Sequence, residues 1–155
     1  MADLREDLGD MSSIVCFKSI VIGAEESIGK AAATVALTAA GRKRGKNLVK
    51  AMGLSGAGAD LQAATTQLSA ALGVDGTRLC KILDIHAEGE VLYVTVSETV
   101  CMAGEPQGTD RKCSFTLGAV HGALEELTGR KLKGTHVRSA WWGDPADVFE
   151  FKPRI

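Results

Sequence analysis

The residues best suited to chemistry lie in one stretch of the sequence, residues 113–151. Cys113 opens the stretch, and His121 and Glu125 follow it, four residues apart from each other. On a helix this spacing places an imidazole beside a carboxylate, which can orient the imidazole for acid–base work or bind a metal ion. A pair at this spacing is more often a partly exposed pair on a helix flank. We favour that interpretation here.

The cysteines show no arrangement typical of a metal site or a disulfide scaffold. The four of them, Cys16, Cys80, Cys101 and Cys113, are spread along the chain without a C-x-x-C pair. Cys101 could form a catalytic pair with a distant histidine, but nothing in its local sequence orients such a pair. The sequence contains no nucleophile elbow, no HExxH and no phosphate loop. We therefore predict no catalytic residue and no metal site, and the sequence does not identify a cofactor.

A helix followed by two strands must position these side chains. Apolar residues recur at steps of four and three, which predicts a helix with one buried stripe made of Cys113, Leu117, Val120, Leu124 and Leu127. Gly118 and Gly122 lie one turn apart on this helix, where glycine is costly unless something approaches the backbone closely. Gly129 is placed to end the helix in a left-handed cap. Residues 132–140 and 147–151 read as strands, joined by a turn at residues 143–145.

This combination resembles the 4-vinyl-reductase-type, or hydrocarbon-binding, domain family. The C-terminal pattern of that family is a cysteine, an aromatic residue, spaced glycines and a strand pair joined by Gly-Asp. The matching residues here are Cys113, Phe115, Gly118, Gly122, Gly129, Gly143 and Asp144, followed by Phe149 and Phe151. The resemblance covers the chain from Leu79 onward. It implies a fold shared with the small subunits of the transport protein particle, a vesicle-tethering complex.

The family pattern also suggests where a ligand or a metal ion would bind. Its cysteines are suspected ligand or metal contacts, and Cys113 matches the first of them. The two later cysteines are absent, and by register they fall near Ser139 and Asp147. Losing two thiolates argues against zinc, because a zinc site needs three or four such ligands. Cys113 also lies on the apolar stripe, which favours a buried thiol.

The first half of the chain reads as helices. A long helix begins at Phe17 and covers residues 17–40, with many glycines and alanines that would let another helix pack closely. It is the best candidate for a homodimer interface, although it could equally pack inside its own domain. Four cations at residues 42–46 are typical of a helix end. Residues 53–58 form a glycine-rich connector, and Asp60 caps a short helix whose apolar side includes Leu68.

Two strands then precede the 113–129 helix, over residues 79–87 and 90–100, joined at Glu88-Gly89. The sequence therefore predicts an α+β fold with N-terminal helices followed by strand-strand-helix-strand-strand, and an antiparallel sheet. We assign residues 1–155 to a single domain, with residues 1–16 as a polar N-terminal segment. His86 and His136 have no partner close in sequence. Trp141 and Trp142 would point to opposite faces if the strand continues through them.

The composition and net charge indicate which classes of partner the chain can have. The hydrophobic fraction of 45%, the charged fraction of 24% and the net charge of −1 are those of an ordinary globular protein. They give no electrostatic case for nucleic acid, and no segment is long and apolar enough to span a membrane. The acidic N-terminus does not read as a secretory signal. We expect a cytoplasmic protein.

Three functions remain open. The first is a stand-alone domain that binds a small apolar, aromatic or tetrapyrrole-like ligand, as a dimeric sensor or carrier acting through a protein partner. Its pocket would lie between the sheet and the helix, with the glycines giving room near the backbone, and its ligand-binding residues would be Cys113, Phe115, Leu117, Gly118, His121, Gly122 and Trp141. The second is a structural adaptor resembling the tethering-complex subunits. The third is an accessory protein of (bacterio)chlorophyll vinyl reduction, since a reductase itself would need a cofactor that the sequence does not show.

Overall fold

The computed structural model describes residues 4–155. In that range the elements follow in the order α1 (Ile14–Ile28), α2 (Lys30–Ala51), α3 (Leu61–Leu72), β1 (Lys81–Glu88), β2 (Val91–Ser97), α4 (Ser114–Thr128), β3 (Leu132–Arg138), a 3-10 turn (Ala140–Trp142) and β4 (Asp147–Pro153). The four strands form one antiparallel sheet in the order β1-β2-β4-β3. The predicted α+β fold is confirmed.

One face of the sheet forms the floor of the hydrophobic core. On β2 the buried residues alternate with half-buried ones, as the sequence predicts, and Leu92 and Val94 pair with Phe151 and Phe149 of β4. Both phenylalanines are fully buried. Above this face, α3 packs on β1 and α4 packs on β3. A strand that alternates in this way buries one face and leaves the other to solvent.

Helix α4 is buried on nearly every side rather than along one stripe. It lies between the sheet and α2, and its buried positions include His121 and Glu125. A helix surrounded in this way needs close contact on the side away from the sheet as well. Its C-terminus ends as predicted, with Gly129 at φ 68° and the Gly129 amide donating to the Glu125 carbonyl at 2.9 Å.

The glycines of α4 let its backbone contact the backbone of α2 directly. A Cβ at Gly118 would overlap the Thr38 carbonyl of α2, and one at Gly122 would overlap the Arg42 carbonyl. The packing is mutual, because Gly41 and Gly45 of α2 meet the backbone of α4 in the same way. The space that we expected for a ligand beside Gly118 and Gly122 is therefore filled by α2.

The predicted helix over residues 17–40 is wrong in its extent. The chain forms two helices that meet at Gly29, whose φ of 84° and ψ of 154° interrupt the helix with a conformation that favours glycine. Helix α1 begins earlier, at Ile14, where Ser13 accepts a hydrogen bond from the Val15 amide. Helix α2 continues to Ala51. The cations of residues 42–46 thus lie inside a helix and not at its end.

Trp141 and Trp142 do not lie in a strand, contrary to the possibility considered from the sequence. Strand β3 ends at Arg138, and Trp141 and Trp142 follow in the 3-10 turn instead of continuing the strand. Ser139 starts this turn, because its hydroxyl accepts from the Trp141 amide at 3.3 Å. Gly143 then reverses the chain at φ 96°.

In residues 4–155, no helix combines the length and the apolar character needed to cross a membrane.

Candidate functional site

A cavity of about 600 Å³ lies at the end of the sheet where β2 finishes and β4 begins. Its walls come from the end of β2 and the segment after it (residues 96–100 and 102–104), from the 3-10 turn and the start of β4 (residues 140–141 and 145–147), from Arg78, and from Ile14 at the start of α1. Most of this lining is apolar. The cavity is therefore an open one, built by the ends of two strands and the adjoining loops and bordered by the first residue of α1.

Trp141 forms one wall of the cavity and is held firmly in place. Its indole Nε1 donates to the Met102 carbonyl at 3.0 Å, and its own carbonyl accepts from the Gly108 amide at 2.7 Å. Trp142 takes a different role. It is 40% exposed and packs against His136 with ring centroids 4.8 Å apart. Trp141 is thus the aromatic surface that a bound molecule would meet.

Two buried polar residues stand among the apolar walls. Thr99 is 2% exposed, and its hydroxyl oxygen is shut off from solvent. Burial raises the pKa of the Cys113 thiol, while hydrogen bonding from the Thr99 side chain lowers it. Asp147 is 5% exposed, and its Oδ1 accepts from the Nε2 of His136 at 3.1 Å. The other ring nitrogen of His136, Nδ1, is buried and has no hydrogen-bond partner among residues 4–155. We had expected His136 to lack a partner close in sequence, and the partner that it finds lies on the neighbouring strand.

Two thiols lie close to the N-terminus of α4. Cys101 and Cys113 are both buried, and the Cys101 Sγ is 3.3 Å from the Thr116 hydroxyl. Hydrogen bonding from Cys113, helped by Thr116 and the backbone of Phe115, lowers the pKa of Cys101. Burial raises the pKa of Cys113 well above its usual range. The prediction that Cys113 is a buried thiol is confirmed, and neither thiol lines the cavity.

The His121–Glu125 pair is buried, and our interpretation of it as a partly exposed flank pair is wrong. The Glu125 side chain is 3% exposed and lies against Arg42 and Lys46 of α2, with nitrogen–oxygen distances of 2.6 and 3.0 Å. Burial raises the pKa of Glu125, but hydrogen bonds from Arg42, the Leu132 amide and Lys46 lower it to about 2. These cations come from a helix far away in sequence, so local spacing could not reveal them.

His121 is held as a neutral structural side chain. Burial lowers its pKa, and its Nε2 donates to the Leu132 carbonyl at 2.8 Å. Glu125 also accepts from the Leu132 amide at 3.0 Å. Together the two side chains fasten α4 to the first residue of β3. The expectation that His86 has no partner close in sequence is wrong, because its Nδ1 lies 2.6 Å from the carboxylate of Asp84, two residues before it, and its ring stacks on Tyr93.

Of the seven residues that we predicted to bind a ligand, only Trp141 lines the cavity. Phe115 packs edge-on against Phe17 of α1 with ring centroids 5.4 Å apart. Leu117 is partly buried against the core. The rest lie within α4 or at its N-cap, namely Cys113, Gly118, His121 and Gly122.

The sequence reading missed Thr99 and did not assign Asp147 to a ligand site. Asp147 carried a signal, because it falls near the register position of a cysteine in the family pattern. Thr99 carried none, since it lies in a region that we predicted to be strand. Within residues 4–155, no cluster of three or more His, Cys, Asp or Glu side chains is placed to hold a metal ion.

Comparison of sequences gives no relative, because no protein family and no curated protein matches this chain. Comparison of folds finds solved structures that are similar to this chain. The phenol-responsive sensory domain of the transcription activator PoxR, solved with phenol, superposes with a TM-score of 0.70 at 12% identity, over 92% of this chain and 75% of that one. A trafficking protein particle complex subunit 3 from Naegleria fowleri, covalently bound to palmitic acid, gives 0.63 at 13% identity, over 92% and 93%. At these identities the likeness concerns the fold alone.

Proposed function

We propose that this chain is a small-molecule-binding domain whose apolar or aromatic ligand occupies the cavity beside Trp141. The cavity carries this proposal. Its volume of about 600 Å³ lies within the range typical of small-molecule sites. Its walls combine apolar side chains with a few polar groups, which is the composition that such sites usually have.

The fixed indole of Trp141 supports an aromatic ligand. An aromatic wall that is already ordered binds a planar molecule without paying for the ordering of the side chain. The likeness to the PoxR sensory domain supports the same choice, because that domain responds to phenol on a similar fold. We therefore propose a flat aromatic molecule as the ligand class. The role would be that of a sensor or carrier domain.

Native mass spectrometry with 2-naphthol tests this function. The chain at low micromolar concentration is expected to bind one naphthol per protomer, and the bound mass should disappear when the protein is denatured. A molecule retained from the expressing cell would be seen in the same spectrum and would be displaced by naphthol. Absence of any bound organic mass across the titration would contradict the proposal.

We also propose that a homodimer forms through the outer side of α1 and the first half of α2. The inner side of α1 is fixed by Phe17, by the Lys18–Glu105 ion pair and by Glu25, which accepts from Arg111 at 2.8 Å. Helix α1 also exposes large apolar residues, which include Val15, Ile20 and Ile22, and Val35 of α2 is exposed as well. Several large apolar side chains exposed on neighbouring helices are typical of an interaction site.

The same face supports a second candidate, a structural adaptor that uses it to contact a different protein. The likeness to the trafficking complex subunit favours this candidate. The two are distinguished by the purified protein alone. A sensor or carrier of the proposed kind is expected to form a homodimer when purified alone. An adaptor that uses this face to bind a different protein is expected to be a monomer when purified alone.

A further inference from the structure

Arg78 lies at the boundary between the cavity beside Trp141 and a second, smaller cavity of about 330 Å³. The smaller cavity is lined by residues 73–74, 78, 80–81 and 98, and it shares Arg78 and Glu98 with the larger one. Arg78 is exposed, in contrast to the buried Leu79 that follows it. A ligand in the larger cavity can therefore contact Arg78 where the two cavities adjoin.

The backbone at Arg78 is held in an uncommon conformation. Arg78 and Glu98 have φ of 54° and 50°, and they are the only residues other than glycine with a positive φ within residues 4–155. Residues in this region persist where surrounding contacts impose it, and they cluster at functional sites. The Arg78 amide donates to the Gly73 carbonyl at 3.0 Å, and the Val100 amide donates to the Leu79 carbonyl at 3.1 Å. These bonds fix the point from which the Arg78 side chain extends.

The charges that line the larger cavity leave one cation without an acidic partner. Among the residues described, Arg78 is the only cation in this lining. Both acids of the lining are already paired, Glu98 with Lys81 at 2.8 Å and Asp147 with His136 at 3.1 Å. Arg78 itself forms no ion pair within residues 4–155. The unbalanced charge at this end of the cavity is therefore positive.

The guanidinium of Arg78 is anchored at one nitrogen and keeps its other donors for a ligand. Its Nε donates to the Val74 carbonyl at 3.2 Å, and this is the one hydrogen bond of its side chain within residues 4–155. A guanidinium presents its N–H donors in a planar fork that matches the two oxygens of a carboxylate. An anchored side chain also loses less conformational freedom when it binds.

We propose that the ligand carries a carboxylate, which pairs with Arg78 while the aromatic body of the ligand packs on Trp141. This inference rests on the proposed function and names the chemical class of its ligand. A carboxylate fits because its single negative charge balances one unpaired guanidinium, and its two oxygens accept from the planar fork. A phosphate ester carries nearly two negative charges at neutral pH, so one guanidinium would leave part of that charge uncompensated.

Calorimetry at neutral pH with matched probes tests the carboxylate. The probes are 2-naphthoate, neutral 2-naphthol, and 2-naphthyl phosphate as the dianion. The protein is expected to bind naphthoate about fivefold more tightly than naphthol, because a charge-assisted bond at an exposed cation is strengthened by its fork geometry but weakened by solvent. Raising the salt concentration should weaken the binding of naphthoate and leave that of naphthol unchanged, since screening acts on the charged group.

Substitution of Arg78 tests the residue. Arg78→Met is expected to weaken naphthoate binding about tenfold and to leave naphthol binding within about twofold. Arg78→Lys keeps the positive charge without the planar fork and should weaken naphthoate binding only about threefold. Lys43→Met is the control, because Lys43 is an exposed cation on α2 that lines neither cavity, and its loss changes the net charge by the same amount. This variant should bind naphthoate as the wild type does.

The outcomes separate the carboxylate anchor from the cavity itself. Circular dichroism verifies that each variant is folded, and the Arg78→Lys variant and the salt series decide the question if Arg78→Met does not fold. Equal binding of naphthoate and naphthol would overturn the anchor while leaving the cavity as the site. The anchor is also overturned by tighter binding of the phosphate probe or by equal losses in Arg78→Met and Lys43→Met. Failure of all three probes to bind would contradict the proposed function.

Discussion

Arg42 of α2 donates two hydrogen bonds to the carboxylate of Glu125 of α4, with Nε 2.9 Å from Oε2 and Nη2 2.7 Å from Oε1. The two residues are 83 positions apart in the chain. Their contact lies beside the glycines that bring α2 and α4 together, so charge and close packing act at the same helix crossing.

Replacing Arg42 is expected to destabilise the protein strongly. Removing one partner of a buried ion pair leaves the other charge uncompensated, which typically costs about 3–5 kcal/mol. Lys46 still reaches Glu125, so we expect Arg42→Met to lower the free energy of unfolding by about 3 kcal/mol, at the lower end of that range. Urea denaturation measures the change. Arg44→Met is the control, because Arg44 is exposed on the same helix and should change stability by less than about 0.5 kcal/mol. Equal effects of the two variants would contradict this account of the crossing.

The same contact predicts a loss of stability in acid. The folded pKa of Glu125, about 2, lies below its ordinary value of 4.5. A depressed folded pKa contributes stability above the ordinary value and loses it as the pH falls from about 4.5 towards 2. We expect wild type to lose about 3 kcal/mol more than Glu125→Gln across this interval. Urea denaturation at stepped pH measures the difference, and parallel pH profiles for the two proteins would show that Glu125 is not the titrating group.

The glycines at the crossing should not tolerate even one methyl group. A Cβ at Gly45 would overlap the Ala119 carbonyl and so force the helix backbones apart. Overpacking of this kind costs about 1–3 kcal/mol, and rigid backbone on both sides places Gly45→Ala near the upper value. Gly23→Ala is the matched control, because Gly23 lies inside α1 with open space around it. That variant should stabilise the protein by up to about 1 kcal/mol. Thermal denaturation compares them, and stabilisation by both would refute the close approach of α2 and α4.

The outer side of α1 should control the oligomeric state. Ile20 is 67% exposed in the single chain, and a glutamate there would place a charge in the proposed interface. Sedimentation is expected to give twice the chain mass for wild type and the chain mass for Ile20→Glu. Leu83→Glu, at a residue 55% exposed on β1, should leave the dimer intact. A wild-type monomer would contradict the homodimer and favour the adaptor.

Local signals in the sequence predicted much of this fold. The apolar spacing of α4, the glycine after it and the alternation on β2 each depend on neighbours within a few residues, and each is present in the structure. Asp60 caps α3 as predicted, with its Oδ1 accepting from the Ala63 amide at 3.0 Å. The break at Gly29 was missed because the apolar pattern continues across it on both sides.

The site was harder to predict because its parts come together only in three dimensions. Glu125 read as a flank residue until its partners on α2 were placed beside it. The two glycines of α4 correctly indicated a close approach to the backbone, but the approaching group is a helix and not a ligand. Thr99 and Ala103 belong to the segment after β2, and no spacing rule connects that segment with Trp141.

The central claim is that a small molecule occupies the cavity beside Trp141, and filling the cavity tests it most directly. Ala103 lines the cavity, so the indole of Ala103→Trp would take the space of a ligand. Ala57→Trp places the same side chain in the exposed loop between α2 and α3 and serves as the control. In calorimetric titrations with 2-naphthol, we predict at least about a hundredfold loss of affinity for Ala103→Trp and none for Ala57→Trp. Undiminished binding by folded Ala103→Trp would show that the ligand binds elsewhere.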